Sequence, residues 1–286
     1  MNLLVTGATG FIGRHVTRLA LAAGHAVTAV VRPGSSAWRD APPGLRVLPA
    51  ALPEVTAGAL AGCEVLIHLA AHGVVAGGDD WEPCFRVNLT ESLQLWRQAA
   101  DAGVRRLVVG GSCFEYGRSG ERYEFIPVDA PLEPTGAYHA SKAAATMAAF
   151  GLAVARRREV VVLRPFHVFG EGEAATRLWP SLRRAALAGE DFPMTPGGQV
   201  RDFVPVETVA RRFLDWATVR PLAAGAPVVE NIGTGRPVTI RAFAESWWRE
   251  WRAAGRLQVG ALPYRANEVM RYVPQIDSAP PAGGTA

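Results

Sequence analysis

Lysine is almost missing from this chain of 286 residues: Lys142 stands alone among 30 basic residues, the others being arginine. The arginines are scattered, so the net charge of +4 forms no block of one sign. That spread argues against a nucleic-acid arm and is compatible with anionic small molecules without demanding them. Cysteine is scarce as well. Cys63, Cys84 and Cys113 are odd in number and lack CxxC spacing, so neither a disulfide scaffold nor a metal site is expected, and the reducing cytoplasm is the expected compartment. Long apolar runs are missing too. The longest, Ala143 to Ala155, falls short of the roughly 20 residues that span a bilayer, so no membrane partner is expected. No basic segment precedes an apolar one at the N-terminus, and a signal peptide is not expected. What remains, with 49% apolar and 20% charged residues, is globular composition long enough for one or two domains.

Strand and helix patterns alternate from the first residues. Leu3 to Val5, Ala26 to Val31, Arg46 to Leu48, Val65 to Leu69, Leu107 to Val109 and Val160 to Leu163 read as strands. Helical stretches run from Ile12 to Ala23, Trp81 to Ala102 and Thr135 to Arg156. Short apolar strands separated by helices predict an α/β fold, a doubly wound parallel sheet covered on both faces. After Arg164 the pattern loosens into loops around a helix near Thr176 to Ala188, a strand at Phe203 to Val206, a helix from Thr208, a strand at Val228 to Ile232 and a Trp-rich helix from Thr239 to Ala254. The expected organisation is a dinucleotide-binding domain over 1–165, with 203–233 returning to it. A smaller α/β substrate-binding domain is expected from 166–202 and 234–278, and a disordered Pro/Gly tail over 279–286.

Thr6 to Gly13 reads TGATGFIG between the first strand and the first helix. Gly7, Gly10 and Gly13 allow a tight turn and close approach to a phosphate, while the free N–H groups at Phe11, Ile12 and Gly13 open the helix beneath a pyrophosphate. An NAD site places a carboxylate at the end of the second strand, about 20 residues past the glycines. Here the strand ends Val30-Val31-Arg32-Pro33, and the first acidic residue is Asp40. Arg32 there suits a 2′-phosphate, with Arg14, Ser35 and Ser36 as helpers, so the expected cofactor is NADP(H) rather than NAD. A solvated arginine at a strand end is the alternative.

The segment YHASK, Tyr138 to Lys142, opens the second long helix. Spacing of four sets phenol and ammonium on one helical face, where Lys142 is expected to lower the Tyr138 pKa from about 10 and let it trade a proton with an alcohol or ketone. With five tyrosines and a single lysine, chance produces this spacing in roughly 2% of chains. Ser112, just past the fifth strand in GGSCFEYG, is placed to orient a substrate oxygen; alone it would read as a turn serine.

Together these motifs resemble the extended short-chain dehydrogenase/reductase family, in its nucleotide-sugar epimerase/dehydratase branch. The likeness continues through HLAAHG from His68, RPFHVFGEGE from Arg164, RDFVPV from Arg201 and NIGTGRPVTI from Asn231. It implies Ser112, Tyr138 and Lys142 as a catalytic trio, Lys142 also holding the nicotinamide ribose, and Leu69 and Ala70 beside the cofactor. It also implies that Arg201 and Arg265 grip a substrate diphosphate, although either alone could be a surface arginine. His167 stands where many relatives have asparagine at a substrate contact, and Ala51 where the branch often has an aspartate. The family normally continues past Asp277 with a further strand and a closing helix.

Dehydratases resembling this chain carry Asp-Glu directly after the Ser112 position, where Cys113 and Phe114 stand here, so 4,6-dehydration is not expected. Arg32 and the RDFVPV and RANEVM segments look more like CDP-abequose synthase-type 4-ketoreductases. The expected function is an NADPH-dependent reductase of a nucleotide-linked 4-keto-6-deoxyhexose. The alternatives are a nucleotide-sugar 4-epimerase and, with less support, a non-catalytic dinucleotide sensor. The two long helices, with Ala144, Ala145, Ala148 and Ala149, resemble the family's dimer-forming pair and imply a homodimer, unless that alanine face packs inside its own subunit.

Overall fold

The computed structural model describes residues 1–34, 38, 41–74, 80–265 and 268–276. Ser35, Ser36, Asp40, Asp277 and the tail 279–286 lie outside the described residues. In chain order the first elements are β1 (Asn2–Thr6), α1 (Phe11–Ala22), β2 (Ala26–Val31), β3 (Arg46–Pro49), α2 (Ala57–Leu60), β4 (Val65–His68), α3 (Trp81–Phe85), α4 (Ser92–Asp101), β5 (Arg106–Gly110), α5 (Ala137–Arg156) and β6 (Glu159–Pro165). There follow β7 (His167–Phe169), α6 (Leu178–Ala188), β8 (Phe192–Met194), β9 (Val200–Arg201), β10 (Phe203–Pro205), α7 (Val206–Thr218), β11 (Val228–Ile232), β12 (Val238–Thr239), α8 (Ile240–Glu250), β13 (Leu257–Val259) and β14 (Arg271–Tyr272).

Seven parallel strands form one sheet in the order β11-β6-β5-β4-β1-β2-β3. The strand order reverses between β1 and β4, which opens a crevice at their carboxyl ends. Alternation along each strand feeds two separate cores. Leu3, Val5, Val65, Ile67, Val108 and Val161 pack under α1 and α7 with Val16, Ala20, Val209 and Phe213. Leu4, Leu66, Leu107, Val109 and Val160 pack under α4 and α5 with Leu95, Trp96, Ala145 and Ala149. Each fully buried aliphatic side chain contributes about 1.5–3 kcal/mol, and both faces of the sheet are thereby closed.

Two expectations change. The helix expected across Trp81 to Ala102 is broken by a π turn over Arg86–Glu91. The cause is long-range: buried Asn88 accepts from the His72 N–H at 2.7 Å and donates to the His72 carbonyl and to Ser141 Oγ, at 3.0 and 2.9 Å. The strand expected over Phe203 to Val206 ends at Pro205 and pairs with β7, outside the large sheet. Helix α7 and strand β11 do return to that sheet. Residues beyond it form a layer in which α6 and α8 share Leu182, Ala186, Met194, Ala244 and Trp248. Among the described residues no helix is long and apolar enough to cross a membrane.

His68, at the end of β4, is buried and held from both sides, with Nδ1 at 2.9 Å from Thr6 Oγ1 and Nε2 at 2.9 Å from Ser92 Oγ. Burial, aided by the Lys142 charge, pushes its pKa from 6.5 down to about 3. The unfolded chain therefore binds this proton more tightly, and the stability His68 supplies above about pH 6.5 is lost as pH falls toward about 3, by at most ~1.4 kcal/mol per pH unit. Urea unfolding of His68→Gln is expected to show a shallower loss of stability than wild type between about pH 6.5 and 4.5. Equal slopes for the two proteins would contradict it.

Candidate active site

The crevice begins at the turn after β1. Gly7 adopts φ +65°, and the segment just after β4 lies so close that a Cβ on Gly7 would be 2.5 Å from the Leu69 carbonyl carbon. A Cβ on Gly13 would lie 2.1 Å from Gly7 O, whereas Gly10 meets only that same oxygen, at 3.1 Å. The Gly10 N–H donates to Gly7 O at 2.9 Å and closes the turn. Helix α1 then starts without a side-chain cap and without an acidic residue in its first turn. Phe11, Ile12 and Gly13 thus present a helix N-terminus with its positive dipole end, and Leu69 and Ala70 border the same turn, the Ala70 N–H donating to Thr6 Oγ1 at 3.3 Å. This cradle fits the pyrophosphate of a dinucleotide. Arg32 is exposed one residue beyond β2. Arg14 lies on α1 with its Nε donating to the Thr9 carbonyl at 2.8 Å.

The sheet then aligns the trio. Ser112 follows β5 and is buried, and its hydroxyl stands near the Tyr138 phenol, where it favours the ionised form. Tyr138 lies in the first turn of α5, with Lys142 buried one turn further on and its Nζ donating to the Gly110 carbonyl. A Cβ on Gly73 would lie 2.6 Å from Cys84 Sγ and 3.4 Å from Tyr138 Cβ, so this backbone packs on the tyrosine. The electrostatics differ from the expectation that Lys142 lowers the phenol. Burial pushes the Tyr138 pKa well above its ordinary value; the nearby Ser112 hydroxyl opposes this, and the charge of Glu115 adds to it. Lys142 is itself lowered by burial, against the attraction of Glu115. The phenolate is costly here because its desolvation outweighs any help from an ammonium whose Nζ is turned to a main-chain carbonyl.

Sequence reading overlooked the group that holds Ser112 in place. Glu115 has no solvent contact, and its carboxylate accepts from the Ser112 N–H at 2.8 Å, Thr146 Oγ1 at 2.7 Å and Arg164 Nε at 2.9 Å. Arg164 donates in turn to Tyr116 Oη at 2.9 Å, and Tyr116 to Asn231 Oδ1 at 2.7 Å. The signal was present: Ser112 and Glu115 have the S-x-x-E spacing of a capping box.

The substrate-side residues are spread more widely. Arg201 is buried, donating to the Val269 and Val200 carbonyls at 2.5 and 2.9 Å and to Glu268 at 3.3 Å. Arg265 is exposed, three residues before Glu268. His167 is half-buried on β7, its Nδ1 without a hydrogen-bond partner among the described residues. Burial, with the charges of Arg201 and Arg177, lowers its pKa to about 3. Arg177, which no motif flagged, also acts on Cys113, whose thiol burial pushes up to about 12. Nearby Glu173 is raised by burial to about 7. Among the described residues no group of three or more His, Cys, Asp or Glu could hold a metal ion.

A glycine cradle at the switch point of a doubly wound sheet, with Ser, Tyr and Lys converging beside it, defines the class as a nicotinamide-dinucleotide enzyme of the extended short-chain dehydrogenase/reductase kind. The chain belongs to the NAD-dependent epimerase/dehydratase family, whose model matches residues 3–233. It is 27% identical over 267 residues to a UDP-glucose 4-epimerase of Corynebacterium glutamicum, covering 86% of this chain and 79% of that protein. It is 24% identical over 277 residues to the dTDP-6-deoxy-L-talose 4-dehydrogenase (NAD(+)) of Aggregatibacter actinomycetemcomitans, covering 94% of this chain and 98% of that protein. Among solved structures, MoeE5 in complex with UDP-glucuronic acid and NAD superimposes with a TM-score of 0.83 at 28% identity, over 96% of this chain and 90% of that one.

Removing one partner of a buried pair strands the other's charge at a cost of about 3–5 kcal/mol. Glu115→Gln is therefore expected to lower the free energy of urea unfolding by about 3 kcal/mol. A loss under about 1 kcal/mol would show that Glu115 does not hold the Ser112 loop.

Proposed function

We propose that this chain reduces the 4-keto group of a nucleotide-linked 6-deoxyhexose with NADPH. The observation that carries the reading is the Ser112 hydroxyl standing near the Tyr138 phenol beside the glycine cradle, followed by Cys113 and Phe114 where elimination would need an acid and a base. The carboxylate next in line, Glu115, is bound to Arg164 and cannot serve that purpose. The match with the 6-deoxy-L-talose 4-dehydrogenase, which spans nearly the whole of both chains, supports chemistry at carbon 4. Arg32 at the β2 end, with no carboxylate before Asp40, supports the phosphorylated cofactor.

A reduced nicotinamide bound at the cradle supplies hydride to the keto carbon. Ser112 Oγ and Tyr138 Oη bracket the carbonyl oxygen, and Tyr138 transfers its proton to that oxygen as the charge develops. A phenol raised by burial is neutral at pH 7, the protonation state a proton donor needs. Lys142 fixes the Gly110 end of β5 and holds the cofactor ribose. Arg201 and Arg265 anchor the diphosphate and His167 faces the sugar, so that binding energy remote from carbon 4 orients the ketone. Segments 166–202 and 234–278 supply these contacts as the substrate-binding part.

The second reading is a 4-epimerase that cycles its own cofactor, favoured by the similarity to a UDP-glucose 4-epimerase over 86% of the chain. Purified protein is expected to consume NADPH steadily at 340 nm with a 4-keto-6-deoxy CDP-, dTDP- or GDP-sugar, and to bind NADP(H) at least tenfold more tightly than NAD(H). Tyr138→Phe is expected to lower kcat by about 10²–10⁴ with cofactor affinity unchanged. Isomerisation at carbon 4 without net NADPH consumption would replace the reductase with the epimerase, and full turnover by the Phe variant would remove Tyr138 from the chemistry.

A further inference from the structure

Phe114 has no part in the proton transfer, yet it lies against the reacting groups. Its N–H donates to Ser112 Oγ at 3.2 Å. Its ring lies flat on His139, the residue after Tyr138, with centroids 4.9 Å apart and planes 18° apart. The same ring meets His167 edge-on at 6.2 Å and Tyr272 at 6.3 Å. The titratable groups of this wall are neutral at pH 7. Burial holds His139 below its ordinary value, lowers His167 to about 3 and raises the Cys113 thiol to about 12, while Tyr272 is raised as well. The phenyl face itself offers neither a carboxylate nor a hydroxyl a hydrogen-bond partner.

Its position along the substrate follows from two anchors. The keto oxygen sits at Ser112 and Tyr138, and the diphosphate lies toward Arg201. Carbons 1 and 4 are opposite corners of a pyranose, so one flank of the ring carries carbons 2 and 3 and the other carries carbons 5 and 6. Tyr272, which the Phe114 ring meets at 6.3 Å, is paired in register with Arg201 across β14 and β9, so the Phe114 wall runs from Ser112 toward Arg201 along one flank. A flank of two hydroxyls would lose its hydrogen bonds against a phenyl ring; a C–H followed by a methyl would not.

We propose that Phe114, backed by His139, selects a methyl at carbon 6 over a hydroxyl or a carboxylate. The proposal rests on the reading of the site as acting at carbon 4 of a nucleotide sugar. It is tested by calorimetric titration of the NADP⁺-loaded protein with CDP-, dTDP-, GDP- and UDP-linked 6-deoxyhexose, parent hexose and hexuronate. Within the base that binds, the 6-deoxy ligand is expected to bind roughly 10–100-fold more tightly than its 6-hydroxy parent, and the uronate to give no signal. Phe114→Ser is expected to bring the first two within about threefold at unchanged NADP⁺ affinity, while Phe114→Leu, still apolar, keeps the preference. Equal binding of the two by wild type, or an unaltered ratio in Phe114→Ser, overturns the role of Phe114. Isomerisation without net redox would sink the reductase reading alone, since the binding ratio decides Phe114 in either reaction. Binding of none of the series would sink both.

Discussion

The Glu115 carboxylate sits out of water between the Ser112 loop and two other elements, α5 and β6, and the geometry of the site depends on it. It accepts from the backbone N–H that precedes the Ser112 side chain, from Thr146 on α5, the helix that carries Tyr138 and Lys142, and from Arg164 on β6. Ser112 and Tyr138 come from segments 26 positions apart, and a single buried charge fixes both relative to the sheet edge. Arg164 carries the constraint on through Tyr116 to Asn231 on β11, so the Ser112 loop is tied to the edge strand that returns late in the chain. Burying such a pair yields little net stability, but leaving either partner alone is costly, and the loop has few other positions open to it.

Much of this was legible in the residue order because the signals are local. Apolar strands of alternating facing, the Gly7–Gly10–Gly13 spacing and Tyr138 four residues before Lys142 are set by backbone periodicity alone, and each stands where that reading puts it. The π turn over Arg86–Glu91 was not legible, because Asn88 is drawn in by His72 and Ser141, which are remote in sequence. Pairing of Phe203–Pro205 with His167–Phe169 has the same character. Glu115 shows an intermediate case: its capping-box spacing was visible, whereas its role needed Arg164 to be found beside it.

The phenol gave the clearest reversal. A lysine one helical turn away suggests a lowered pKa, but burial is a property of the assembled crevice and raises it instead. The same desolvation keeps His139 and His167 neutral and Cys113 a thiol, so neutral groups and apolar rings stand near Ser112 and Tyr138, while Arg201 and Arg177 supply positive charge to His167 and Cys113. That environment favours delivering a proton over removing one. It suits reduction of a ketone more than acid-base elimination of water.

The pH dependence of kcat for ketone reduction under saturating NADPH tests this most directly. A neutral, buried Tyr138 donor predicts a flat profile from about pH 6 to 9, with activity falling only above the ordinary phenol value of about 10. A profile that falls through an apparent pKa near 6 to 7, and that loses this inflection in Tyr138→Phe, would mean the phenol is acidified in the working enzyme and would contradict the account.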